Sequence, residues 1–203
     1  MKTRFTLALW MAVLLAPSVA FAGDTPNAMV DASSKKVLAL VQQNREKGQA
    51  DVDALTKDLL KLLDPVVDFE AIAVAVMGQH YAAATPQQRQ RFVPVFKNTL
   101  VLLYAKTLVK FEIERIDVPA ADPAVPPSGN VVMAVTAADG KTYSIAYTMR
   151  QGQNKKWRVR NVTLDGINLG LTYRNQFDSA MNRYQGDIDK VIASWTADME
   201  ATK

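Results

Sequence analysis

The chain has no cysteine and a single histidine in 203 residues. The first absence excludes a disulfide framework and a thiolate metal site. The second leaves imidazole chemistry to His80, which falls just past Gly78 in a polar connection with no Ser or clustered carboxylates nearby in sequence. It is expected at the surface or at a lip rather than in catalysis. A Gly-rich phosphate loop, G-x-S-x-G and H-E-x-x-H are missing, and no Asp/Glu spacing resembles a ligand set. No cofactor and no metal are therefore expected. Asp64 and Asp68 could pass for paired acids, but each has a helix-capping explanation. Charge excess is small, with 24 basic residues against 20 acidic. Beyond the N-terminus no segment is expected to reach the roughly 18 apolar residues of a membrane span.

What is present begins with an export signal. Lys2 and Arg4 precede an apolar core from Phe5 to Ala16, and Ala20-Phe21-Ala22 forms an A-x-A cleavage pattern before Gly23. Residues 1–22 read as a cleaved signal peptide and 23–203 as a single domain. Loss of Lys2 and Arg4 takes the 24 basic residues to 22 and the net charge from +4 to +2. Mild charge and an exported, periplasmic location argue against nucleic acid as a partner.

Periodicity divides the mature chain into helices, a meander and helices. Pro26–Lys47 reads as a helix stopped by Gly48. Asp51 caps a second, with Val52, Leu55, Leu59 and Leu62 on one stripe, ended by Asp64-Pro65. Asp68 caps a short third helix, apolar nearly all round, with Gly78 as its left-handed stop. Thr85-Pro86-Gln87-Gln88 is a capping box opening a long helix interrupted by Pro94. From Thr99 to Val109 only Lys106 is charged, so that half is expected to be enclosed. Alternation then sets in at Ile113, Ile116 and Val118 with one phase slip. It continues through Val131, Met133 and Val135, turns at Asp139-Gly140, and returns through Tyr143, Ile145, Tyr147 and Met149. Trp157 and Val159 change phase against Val162 and Leu164, which asks for a bulge near Asn161. Four antiparallel strands result. Leu169, Leu171, Tyr173, Phe177 and Met181 face inward on a following helix, and Gly186-Asp187 opens a last one carrying Ile188, Val191, Ile192 and Trp195.

Two features remain open. Two nearly all-apolar helices, aromatic residues on one sheet face and adaptable Met77, Met133 and Met149 suit a ligand cavity, although on pattern alone an ordinary tight core is the default for such residues. Lys156, Arg158 and Arg160 form a basic stripe that reads either as a docking patch or as an edge strand kept soluble by charge.

The run Leu63-Asp64-Pro65-Val66-Val67-Asp68-Phe69, Met77-Gly78 and Tyr81 resembles the MlaC/toluene-tolerance (Ttg2-type) family of periplasmic phospholipid-binding proteins. So do Ala84 to Arg89, Phe92, Phe96, Leu100 and Tyr104, then Trp157-Arg158-Val159, Val162, Gly166, Leu169 and Tyr173 to Phe177. Residues 35–195 follow the family's order. Asn161, Asp165 and Asn168 depart from the more usual Asp, Glu and Ser, and Gly170 is uncommon after Leu169.

The resemblance implies an α+β fold in which a four-stranded curved antiparallel sheet is wrapped by helices, NTF2- or cystatin-like, with a lipid cavity between the layers. It implies a monomeric carrier without catalytic residues or cofactor. Its cargo would be phospholipid, shuttled between an outer-membrane lipoprotein–porin complex and an inner-membrane ABC transporter with an MCE-domain subunit, sustaining outer-membrane lipid asymmetry and solvent tolerance. The expected lining is Phe69, Ile72, Val76, Phe96, Leu100, Leu103, Tyr104, Met133, Val135, Ile145, Tyr147, Trp157, Val159 and Leu169, with Tyr173 and Arg174 near the mouth. The alternatives are a periplasmic enzyme of NTF2-like fold acting on a small hydrophobic substrate, and an exported adaptor with a solid core.

Overall fold

A computed structural model describes residues 25–46, 51–122, 124–152 and 154–201. The signal peptide expected over 1–22, Lys47 and the Gly48 stop lie outside the described residues. Helix α1 spans Pro26–Glu46 and α2 Val52–Leu63. Asp51 caps α2 by accepting from the Ala54 N–H at 2.9 Å. Helix α3, Phe69–Met77, starts at Asp68, which accepts from the Ala71 N–H at 3.1 Å. Gly78 ends it with φ +53° but ψ −126°, outside the left-handed helical region, and the chain runs on into a 3-10 turn to Tyr81. Helix α4 spans Pro86–Lys110 behind the capping box of Thr85 and Gln88 and continues through Pro94. It is long and apolar enough to cross a membrane, contrary to the expectation from composition, yet here it is the central helix of the helical layer.

Strands β1 (Ile113–Asp117), β2 (Asn130–Ala137), β3 (Thr142–Gln151), β4 (Trp157–Leu164) and β5 (Ile167–Asn168) form one antiparallel sheet in sequence order. The phase slip in β1 is a register shift between Ile113 and Arg115. On β4 the extra residue is Arg160: Thr148 pairs with Asn161 and Met149 with Val159. The bulge therefore sits one position before Asn161. The sheet has five strands, not four. Asp165 (φ +46°) and Gly166 (φ +83°) are the two positive-φ residues of a tight hairpin that returns Ile167 against Leu164. The Asp139-Gly140 turn of β2 into β3 differs, with only Gly140 (φ +80°) at positive φ. Helices α5 (Leu169–Arg183) and α6 (Ile188–Ala201) follow. On α5 Phe177 and Met181 are buried, but Leu171 is 54% exposed, so it does not join the inward stripe.

Apolar residues gather in three clusters. One joins α3 to α4, α5 and α6 around Phe92, Phe177 and Trp195. A second joins α1, α2 and the C-terminal half of α4 around Leu55, Leu59 and Val101. The third joins Val30 of α1 to the inner sheet face at Val131, Met133, Val135, Met149 and Val159. Arg45 closes the end of α4 by donating to the carbonyls of Leu108, Val109 and Phe111, as cations do at helix C-termini.

Three of the four departures from the family pattern form one structure. Asn161 accepts from the Gly170 N–H at 3.1 Å and donates to Asn168 Oδ1 at 3.0 Å, while Asn168 caps α5 through the Leu171 N–H. A Cβ on Gly170 would stand 2.5 Å from Asn161 Oδ1. An Asp at 161 would set two acceptors against each other unless 168 became a Ser, whose hydroxyl can donate. Asn161→Asp alone should cost about 1 kcal/mol. Asn161→Asp with Asn168→Ser should recover most of it in a thermal-melt double-mutant cycle; strict additivity would show that the two side chains are not coupled.

Candidate lipid site between helix and sheet

Helix α4 presents three faces. Phe92 and Thr99 meet α6, with Thr99 and Thr196 sharing a hydroxyl hydrogen bond of 2.7 Å. Val101, Ala105 and Leu108 meet α1 and α2. The third face carries Leu100 and Tyr104. Fewer than half the residues in the most apolar stretch of α4 are buried, so this helix is not fully covered by protein.

Tyr104 shows where the uncovered part lies. It is 40% accessible, yet burial pushes its phenol from 10.0 up to about 12. A side chain both deep and accessible is placed as the lining of a recess would be. Near it stands Tyr147 of β3, raised further by burial first and by Tyr104 second. Tyr173 of α5, also raised by burial, packs edge-on to Phe96 with centroids 5.9 Å apart. Among the described residues neither Tyr104 nor Tyr147 has a hydroxyl partner, although buried tyrosines usually find one.

The inner sheet face is asymmetric in the same sense. Under α1 the β2 residues Val131, Met133 and Val135 are 1–5% exposed. On β3 and β4, Tyr143, Ile145, Tyr147, Val162 and Leu164 face the same way and stay half-open. The structure thus brings Tyr104 near Tyr147, with Met133, Val135, Ile145, Trp157 and Val159 on the same sheet face and Tyr173 against Phe96, while Leu100 packs against both helical clusters. Leu169 begins α5 half-buried. Phe69 belongs to the α1–α2–α4 cluster, and Ile72, Val76, Phe96 and Leu103 to the four-helix cluster. Arg174 lies over Gly78, where a Cβ would meet its Nε at 2.7 Å, at the seam of α3 and α5. Tyr143, Val162 and Leu164 were not singled out as lining. The alternation that set the strands already placed them on the inner face.

Other polar candidates have structural work. His80 Nε2 and Asp178 Oδ1 lie 2.7 Å apart, tying the turn after α3 to α5, with Phe177 against the ring. Asp64 pairs with Lys97 and Asp68 with Arg160. Arg158 donates to the carbonyls of Asp64 and Val67 at 2.9 and 2.6 Å. Val67 bridges Val159 in parallel, so this connection covers the β4 edge. A separate cleft of about 430 Å³ opens outside the layers between α3 and α4, where Arg89 lies 4.1 Å over the Tyr81 ring.

Since the folded phenol of Tyr104 titrates above its ordinary value, its contribution to stability is full below pH 10 and is lost as pH rises toward about 12. Tyr104→Phe should flatten that alkaline loss in denaturant melts; an unchanged slope would place the phenol in open solvent.

The model of the family described as MlaC protein matches residues 31–197. The toluene tolerance protein ttg2D of Pseudomonas putida is 35% identical over 197 residues, covering 94% of this chain and 90% of the relative. The intermembrane phospholipid transport system binding protein MlaC of Haemophilus influenzae is 21% identical over 205 residues, covering 95% and 96%. A phospholipid-binding protein of Ralstonia solanacearum, solved with a phospholipid, shares the fold at a TM-score of 0.66 and 24% identity, covering 88% of this chain and 99% of that one. The Haemophilus and Ralstonia proteins are named for phospholipid transport or binding and the family is not one of enzymes, which goes against the reading as an NTF2-like enzyme. With a family model spanning most of its length and a relative above 30% identity, the chain belongs to the MlaC family.

Proposed function

We propose that this protein is a periplasmic phospholipid carrier that holds acyl chains between α4, α5 and the inner sheet face. The observation that carries the reading is Tyr104, deep yet open and facing Tyr147. In support, one relative is named as the binding protein of a phospholipid transport system, and the Ralstonia protein was solved with a phospholipid. A buried methylene is worth about 0.8 kcal/mol, so a 16-carbon tail costs roughly 12 kcal/mol to expose to water. A water-borne carrier must therefore enclose the tails. Passage from bilayer to protein is then nearly balanced, apolar to apolar, and the chain needs no catalytic group of its own.

In this reading residues 1–22 direct export and are removed, and residues 23–203 act as a monomer. The partners are an outer-membrane lipoprotein–porin complex and an inner-membrane ABC transporter with an MCE-domain subunit, and the outcome is lipid asymmetry and solvent tolerance. The lining is the set of expected residues above, with Leu100, Tyr104, Ile145 and Tyr147 at its centre.

Organic extraction of the purified protein followed by mass spectrometry tests the proposal. Stoichiometric phospholipid is expected. Leu100→Trp and Ile145→Trp, each filling the space, should lower it by more than about half while the fold survives moderate overpacking. An empty extract from the parent protein would contradict the proposal, and so would full retention of lipid by both variants.

A further inference from the structure

The three central strands β2, β3 and β4 contain no Asp or Glu, yet carry Arg150, Arg158 and Arg160. Among the described residues, much of the outer face of this sheet is exposed. Val132, Thr142, Ser144 and Thr148 are exposed there. Arg150 and Arg158 stand directly opposite each other across β3 and β4, a like-charge pairing that is destabilising in a sheet. Among the described residues Arg158 is held by the neutral carbonyls of Asp64 and Val67, and Arg160 by Asp68. Arg150, Lys155 and Lys156 are exposed around the β3–β4 turn, and among the described residues their side chains have no hydrogen-bond or ion-pair partner. Lys155 also adopts φ +59°, a conformation that Gly or Asn would take more readily. A cation is kept where the backbone does not favour it.

We propose that this hairpin end is a docking surface for the anionic headgroup plane of a lipid bilayer. A protein partner would call for an apolar anchor surrounded by a polar rim. The exposed large hydrophobic on this face, Val132, stands alone. Adsorption to phosphates needs only clustered cations, each worth roughly fivefold in partitioning near an anionic surface and screened within a Debye length. The surface lies on the face opposite the interior space, so the inference stands whether or not that space holds lipid.

Co-flotation of the mature protein with vesicles tests it. Binding should occur to phosphatidylcholine vesicles containing phosphatidylglycerol, not to phosphatidylcholine alone, and should be lost at high salt. Arg150→Gln, Lys155→Gln and Lys156→Gln combined should weaken it about a hundredfold, near the product of the three single-charge factors. The charge-preserving set Arg150→Lys, Lys155→Arg and Lys156→Arg should bind as the parent does. Lys155→Asn alone should reduce binding without lowering the melting temperature. Equal binding to both vesicles, unaltered binding by the glutamine variant, or no binding to either vesicle overturns the proposal; the last would point instead to an acidic protein surface. Extracted lipid, measured on the same glutamine variant, should match the parent, which separates failure of docking from failure of the carrier reading.

Discussion

The helical layer and the sheet are held together along their two edges, and the rest of the structure follows from that constraint. On one side α1 lies across β1 and β2, with Val30 packed on the inner face. On the other the connection between α2 and α3 is strung along β4. Val159 donates to the Val66 carbonyl and accepts from the Asp68 N–H at 2.9 and 3.0 Å, and Arg158 and Arg160 fasten the same segment. Layers tied at both edges need not collapse at the centre. That is where Tyr104 and Tyr147 come near each other, while the helices secure their own stability in clusters whose buried members all lie outside the sheet.

This division explains what each polar residue is for. The Leu63–Phe69 run, which looks like a candidate for paired acids, is a hinge line: Asp68 caps α3 and holds Arg160 with the same carboxylate. The two arginines of the basic stripe fasten the segment 64–68 to β4. The charge left for the outside is Arg150, Lys155 and Lys156, a set that strand periodicity alone would not assemble.

Most of the fold was legible in the sequence because its signals are local. Capping at Asp51, Asp68 and Thr85, the Asp139-Gly140 turn and the phase changes in β1 and β4 each depend on a few neighbouring residues. β5 was missed because two residues carry no periodicity, although Asp165-Gly166 had the turn chemistry. The site was less legible. Ile72, Val76 and Leu100 are alike as apolar helix residues, and no local pattern says which of them face a neighbouring element and which would face a cargo. The partners of His80, Arg158 and Asp68 lie about 90 residues or more away in sequence, and no local pattern specifies such pairings.

The central claim is that the inner face of β3 and β4 stays apart from α4. A crystal structure of the protein purified without delipidation tests it most directly. The account requires continuous hydrocarbon density between Leu100 and Tyr104 on one side and Ile145 and Tyr147 on the other. Side chains of the two layers in van der Waals contact throughout, with Tyr104 sealed between them, would contradict it.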